Sequence, residues 1–262
     1  MTDEALAKQA VRAAYGWHRP QSWADALGLL ARAAEAGEEG ARRQLALVSQ
    51  APIDELLRPP RVERLTSVAA IAACRGFAPP GFAEWLIDRA RDRLVAASVN
   101  QAGEVGAVRS ARDFAFGPRD RDLVLAIIQE RAARLVSLPV DYHEPPNIIS
   151  YEPGQEFGMH VDYIDPRAPE FQPELRSMGQ RTATIVTYLN TDFEGAETHF
   201  PDADVRFRGG VGDAIVFVNV LPDGTPDFNT RHCGLPPTRG RKWVLSQWLR
   251  SKPFPFQPED LV

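Results

Sequence analysis

The second half of this chain is a succession of short β-rich runs, and that pattern restricts the fold more than any other feature. TATIVTYLN, ETHFP, DVRF, DAIVFVNV and KWVLSQWLR follow one another between residues 182 and 250. β-Branched and aromatic residues dominate them, as suits a pleated, half-buried surface. Gly, Pro and Asp punctuate the joins in FEGAE, RGGVGD, PDGTPD and PPTRG, where they supply turn conformations. The first half has the opposite texture, so helices come first and many short strands follow. That order predicts an α+β fold, an antiparallel sandwich or barrel flanked by helices.

The first fifty residues read as helix. In SWADALGLLARAAEAGEEGARRQLALV, Ala and Leu recur at helical spacing until Gly37 and Gly40 break the run. Ser22 stands where a cap belongs, three residues before Asp25. The segment resembles one Sel1-type helical repeat, a short relative of the tetratricopeptide family. A single repeat cannot bury its own apolar face, so it is expected to pack on the rest of the chain, either as a plain amphipathic extension or as a docking repeat for a partner. A Pro-containing joint, LRPPRV, separates this region, residues 1–54, from a second expected domain over 60–252. Within the latter, residues 80–97 and 119–137 are expected as amphipathic helices, and 103–116 and 147–151 as extended segments. DPRAPEFQPELRSMGQ, residues 165–180, reads as a long Pro- and charge-rich loop.

Bulk properties exclude several classes. A net charge of −5 gives no basic surface for nucleic acid. No apolar run approaches the roughly 18 residues of a membrane span. The charged N-terminus lacks a signal-peptide core, and Cys74 and Cys233 make neither a CxxC pair nor a disulfide framework. A reducing, cytoplasmic location is the resulting expectation.

Five histidines are present, and two stand in informative contexts. In GMHVDYI, His160 and Asp162 are two apart, so on a strand they share a face. In NTRHCG, His232 precedes another β-rich run. Two imidazoles and one carboxylate on one face of an octahedral ion leave three positions open, the arrangement of non-haem Fe(II) oxygenases. Alone, His-x-Asp equally fits a strand with polar surface residues. Lys242 begins the strand KWVLSQWLR, and alternation allows it to face either solvent or the interior. Facing inward, it would need a carboxylate partner. His199 is expected on the face opposite Thr198, and Cys233 is expected to point away from His232, so neither reads as a ligand. His18 and His143 have no supporting context.

Across residues 147–250 the sequence resembles the catalytic core of prolyl 4-hydroxylases. The matching segments are YEPGQEFGMHVDY, RTATIVTYLNTDFEGAETHFP and GDAIVFVNVLPDGTPDFNTRHCGLPPTRGRKWVLSQWLR. The resemblance implies a double-stranded β-helix, or jelly roll, dependent on Fe(II), 2-oxoglutarate and O2, with ascorbate as an optional addition. It implies that His160, Asp162 and His232 hold the iron and that Lys242 binds the distal carboxylate of 2-oxoglutarate. Tyr151, Thr198 and Tyr188 match co-substrate positions, with core packing as the competing reading for Tyr188. Arg109, Arg181, Trp248 and Phe157 match substrate-side positions, and Glu144 matches an acidic one. Two departures bear on the substrate: Phe157 stands where relatives often carry Tyr, and Ala111 stands where the family segment has Ser.

The implied reaction hydroxylates a peptidyl residue, foremost proline, with succinate and CO2 as co-products, and a peptide or protein is the implied partner. The residues leave open the same chemistry on a free amino acid or small peptide, and a metal-binding interaction module without turnover.

Overall fold

The computed structural model describes residues 3–97 and 110–255. Three helices open the chain: α1 (Asp3–Tyr15), α2 (Trp23–Glu35) and α3 (Glu39–Val48). The Ser22 side chain caps α2 by accepting from the Asp25 amide at 3.2 Å. Gly37 adopts φ +108 in the link between α2 and α3, a conformation that glycine reaches without steric cost. A single turn, α4 (Ile53–Leu56), leads into β1 (Val62–Arg64) and β2 (Ile71–Cys74). Next come α5 (Phe82–Ala90), β3 (Val95–Ala96), β4 (Arg112–Ala115) and α6 (Leu123–Val136). The helix expected over 80–97 is therefore shorter, because Val95 and Ala96 leave it to pair with Asp113 and Arg112.

β5 (Asn147–Tyr151) and β6 (Phe157–His160) precede a short helix, α7 (Gln172–Met178). α7 lies within the segment expected as a loop; Pro173 sits in its first turn, where a missing amide proton costs nothing. The remaining strands are β7 (Arg181–Tyr188), β8 (Phe193–Gly195), β9 (Thr198–Phe200), β10 (Val205–Phe207), β11 (Ala214–Val218), β12 (His232–Gly234), β13 (Pro237–Gly240) and β14 (Lys242–Arg250).

The strands form an antiparallel jelly roll. One sheet runs β1-β2-β11-β7-β14-β5-β4-β3, a second runs β10-β9-β12-β6, and β13 and β8 form a ribbon. Two apolar cores result. Between the sheets lie Ile149, Phe193, Phe200, Phe207, Ile215, Phe217 and Val244. On the outer face of the large sheet, Ile148, Ile185, Trp243, Leu245 and Leu249 join α5, α6 and the N-terminal helices in a single cluster. α1 and α3 contact α6 and contribute Leu6, Ala10, Ala13, Ala41 and Val48 to that cluster. The N-terminal helices therefore bury their apolar face on the second region, as a lone repeat must. Each fully buried large apolar side chain contributes about 1.5–3 kcal/mol.

β14 divides the two cores by alternation. Trp243, Leu245 and Leu249 face the helices, while Lys242, Val244, Ser246 and Trp248 face a cavity between the sheets. The strand phase that the sequence left open thus points Lys242 inward.

Candidate active site

β6 and β12 pair antiparallel with His160 opposite His232, so both imidazoles leave the same face. Their ring centroids are 4.2 Å apart. Asp162 lies two residues beyond His160, with Oδ1 3.6 Å from His160 Nε2. The potential ligand atoms of these three residues lie within 4.8 Å of one another, and the three form the one such cluster among the described residues. All three side chains are buried. His160 Nδ1 is 2.8 Å from the Gly158 carbonyl and His232 Nδ1 is 3.0 Å from the Thr230 carbonyl. A carbonyl accepts only from N–H, so both Nδ1 atoms carry the proton and both Nε2 lone pairs are free for a metal.

Two residues that sequence reading missed complete the centre. Thr184 donates to Asp162 Oδ2 at 2.6 Å, and Asn219 Nδ2 donates to Thr184 at 3.0 Å. This chain fixes one carboxylate oxygen and leaves the other directed at His160. Thr184 could have been noticed as a hydroxyl in phase with Val186 and Tyr188 on an otherwise apolar strand face; Asn219 gave no local signal. Burial pushes the Asp162 carboxyl up, but its neighbours His160, His232 and Arg181 outweigh it and hold the group below the usual carboxylate range. Burial, reinforced by His160, pushes His232 down to about 4, leaving it neutral near pH 7 as a metal ligand must be. Phe200 and Phe217 pack on its ring, and Phe157 lies flat on His160 with centroids 3.6 Å apart.

Lys242 lies in the cavity these residues line, 2% exposed. Its Nζ donates to the Ala196 carbonyl at 2.7 Å and sits 4.7 Å from the Tyr188 ring centroid and 5.5 Å from that of Tyr151. Ala196 holds φ +59, a left-handed conformation that costs an L-residue about 1–2 kcal/mol. No carboxylate among the described residues pairs with this ammonium. Burial pushes its pKa down to about 7, with Glu197 opposing. An ammonium short of a counter-charge, in a cavity that also holds two imidazoles and a carboxylate, suits an anionic ligand that bridges to a metal. The residues present therefore fit both Fe(II) and 2-oxoglutarate.

Known proteins agree with this chemistry. A family model described as the 2OG-Fe(II) oxygenase superfamily matches residues 146–250. Prolyl 4-hydroxylase 13 of Arabidopsis thaliana is 30% identical over 225 residues, covering 79% of this chain and 77% of that protein. The chain belongs to the prolyl 4-hydroxylase family. Probable prolyl 4-hydroxylase 3 of the same plant is 31% identical over 189 residues, which span 63% of this chain and 64% of that relative. Among solved structures, the viral collagen prolyl hydroxylase of Paramecium bursaria Chlorella virus-1, in its 2OG complex, superposes with a TM-score of 0.53 at 23% identity, covering 68% of this chain and 94% of that one. A Pseudomonas putida prolyl-4-hydroxylase gives 0.50 at 17% identity, covering 76% and 96%. These structural likenesses concern the fold.

The other residues matched to the prolyl 4-hydroxylase family divide into those the cavity includes and those it does not. Tyr151, Phe157, Thr198 and Trp248 line it beside Lys242. Tyr188 lies behind it, fully buried. Its hydroxyl donates to the Phe207 carbonyl at 2.8 Å and accepts from the Thr198 amide at 3.1 Å, and Thr198 Oγ1 is 2.9 Å away. Tyr188 thus supports Thr198 and underlies Lys242. Arg181 is likewise absent from the cavity lining. Its Nε and Nη2 bond Glu144 at 2.6 and 2.9 Å, and its guanidinium carbon sits 4.5 Å from the Trp248 ring centroid. This buried ion pair backs Trp248. Arg109 falls outside the described residues. Ala111 is buried in the inter-sheet core. Cys233 pairs with His199 on the neighbouring strand, and neither belongs to the metal cluster.

Proposed function

We propose that this chain hydroxylates a peptidyl proline, consuming 2-oxoglutarate and O2 and releasing succinate and CO2. The observation that carries the reading is buried Lys242, without a carboxylate partner among the described residues, in the same cavity as His160, Asp162 and His232. Bound iron supplies the oxygen chemistry. The chain's own residues hold, orient and exclude water. His160, His232 and Asp162 would hold the ion on one face, with Thr184 and Asn219 keeping Asp162 aimed. Lys242 and Thr198 would receive the distal carboxylate of 2-oxoglutarate, with Tyr151 beside it. Phe157 and Trp248 would wall the substrate side and keep it dry. The peptide as substrate is supported by the family of relatives, which are named as prolyl hydroxylases. A reducing compartment belongs to the same proposal and is supported by two free, buried cysteines.

The test is succinate release and a one-oxygen mass gain on proline-containing peptides, with free proline as a parallel substrate. Turnover is expected on the peptides and is expected to fall at least about 1000-fold in His160→Ala. Oxygen gain confined to free proline would overturn the peptide assignment, and wild-type turnover by His160→Ala would overturn the metal assignment.

A further inference from the structure

The segment between Asp162 and β7 is fastened to the body at several points. The Gln180 side chain accepts from the Ile164 amide and donates to its carbonyl, both at 2.8 Å. Arg250 Nη1 donates to the Gly179 carbonyl at 2.9 Å, and Lys252 donates to the Arg176 carbonyl at 3.0 Å. Glu174, on α7, forms an ion pair with Arg250 Nη2. This segment is therefore a docked wall.

Beneath it lies a charge cluster with unusual arithmetic. Arg250 is 1% exposed, Arg181 5% and Glu144 8%. Glu144 grips Arg181 through two aligned hydrogen bonds. Arg250 Nε also comes within 2.5 Å of Glu144 Oε1, but that nitrogen lacks a hydrogen-bond alignment. Two buried guanidiniums thus share one buried carboxylate, leaving one positive charge in excess. A buried surplus charge costs several kcal/mol unless paired. Glu174 supplies the second carboxylate, and its side chain is 32% exposed, so it comes from the wall and not from the core.

We propose that Glu174 is a positioning residue for the peptide side of the site. By pairing with Arg250 it keeps that guanidinium from drawing Glu144 off Arg181, and Arg181 in turn holds Trp248 in the cavity wall. Without Glu174, Arg250 competes for Glu144, the bidentate grip on Arg181 loosens, and Trp248 loses its backing. Lys242 is untouched and Arg181 keeps its charge near Asp162, so the effect falls on peptide and not on 2-oxoglutarate. The idea rests on the peptide-hydroxylase reading.

The experiment compares Glu174→Gln with the double variant Glu174→Gln/Arg250→Met in steady-state kinetics of the iron-loaded full chain. Glu174→Gln is expected to raise the peptide KM about tenfold, while the 2-oxoglutarate KM and the slow 2-oxoglutarate turnover without peptide stay within about twofold. The double variant removes the competing cation and is expected to bring the peptide KM back to within about threefold of wild type. An undocked wall would not be rescued this way, because the double variant has lost the anchor too. An unchanged peptide KM in Glu174→Gln, an equal rise in both KM values, or a double variant as impaired as the single would each overturn the proposal. If the double variant does not fold, seen as loss of 2-oxoglutarate turnover, the KM split in Glu174→Gln decides alone. Failure of wild type to oxidise any peptide is a separate outcome and sinks the peptide reading.

Discussion

The two ends of β14 both carry a buried cation, and they treat it in opposite ways. At one end Lys242 has a carbonyl and two aromatic faces but, among the described residues, no carboxylate. At the other, Arg250 shares a cluster with two carboxylates and a second arginine. The charge of Arg250 is spent inside the protein, and its partners hold the fold. The charge of Lys242 is unspent, and the strain falls on the lysine itself as a depressed pKa. A buried cation that the protein declines to neutralise is a binding site; one that it neutralises is a brace. Burial alone would not have told them apart.

The largest way to break this comparison is Glu144→Ala. It leaves Arg181 and Arg250 facing each other with only Glu174 between them, and should destabilise the protein by about 3–5 kcal/mol in urea unfolding. A loss below 1 kcal/mol would mean the brace is ornamental. Lys242→Met should act in the other direction. Removing an uncompensated buried charge is expected to stabilise the ligand-free protein by about 1–3 kcal/mol near pH 6.5. The same variant should raise the 2-oxoglutarate KM at least about 100-fold, so stability and function separate at one residue.

The pH dependence follows from the same depressed pKa. Between pH 7 and the unfolded lysine value of 10.5, the unfolded chain holds a proton that the folded, ligand-free chain does not. This group therefore makes ligand-free stability rise with pH across that window. Carboxylate binding needs the ammonium, so 2-oxoglutarate affinity should weaken above about pH 7 in equilibrium titrations. Lys242→Met should flatten both trends, and a persisting trend would place the titration elsewhere. The smallest effect is expected from Thr184→Val, which frees one oxygen of Asp162 and leaves Asn219 without its acceptor. It should weaken Fe(II) binding about tenfold with little change in the 2-oxoglutarate KM at saturating iron.

Much of this site was legible because strand geometry is regular. Once residues 157–162 form a strand and its continuation, His160 and Asp162 must share a face, and the β-rich run after His232 supplies the pairing that brings the second imidazole. The N-terminal helices were legible for a similar reason, with Ser22 capping where its spacing from Asp25 implied. What stayed hidden depends on partners distant in sequence. Lys242 has the same local pattern whether it faces in or out, and only the second sheet decides. The ion pair of Arg181 depends on Glu144, 37 residues earlier, and the hydroxyl of Tyr188 is bonded to Phe207 and Thr198, on other strands. α7 was hidden by Pro173 and the two prolines before it, which suggest a loop, although Pro173 falls in the first turn.

Among the described residues, β6, which presents His160, is the outermost strand of the small sheet, with β12 as its neighbour. A terminal strand of this kind is the first to peel away and the first to find a foreign partner. An ion gripped by His160 and Asp162 on one side and His232 on the other ties that strand to the next across the ladder. Held there, iron would serve the architecture as a rivet as well as the chemistry, and iron starvation should then show as a frayed sheet margin before it shows as general unfolding.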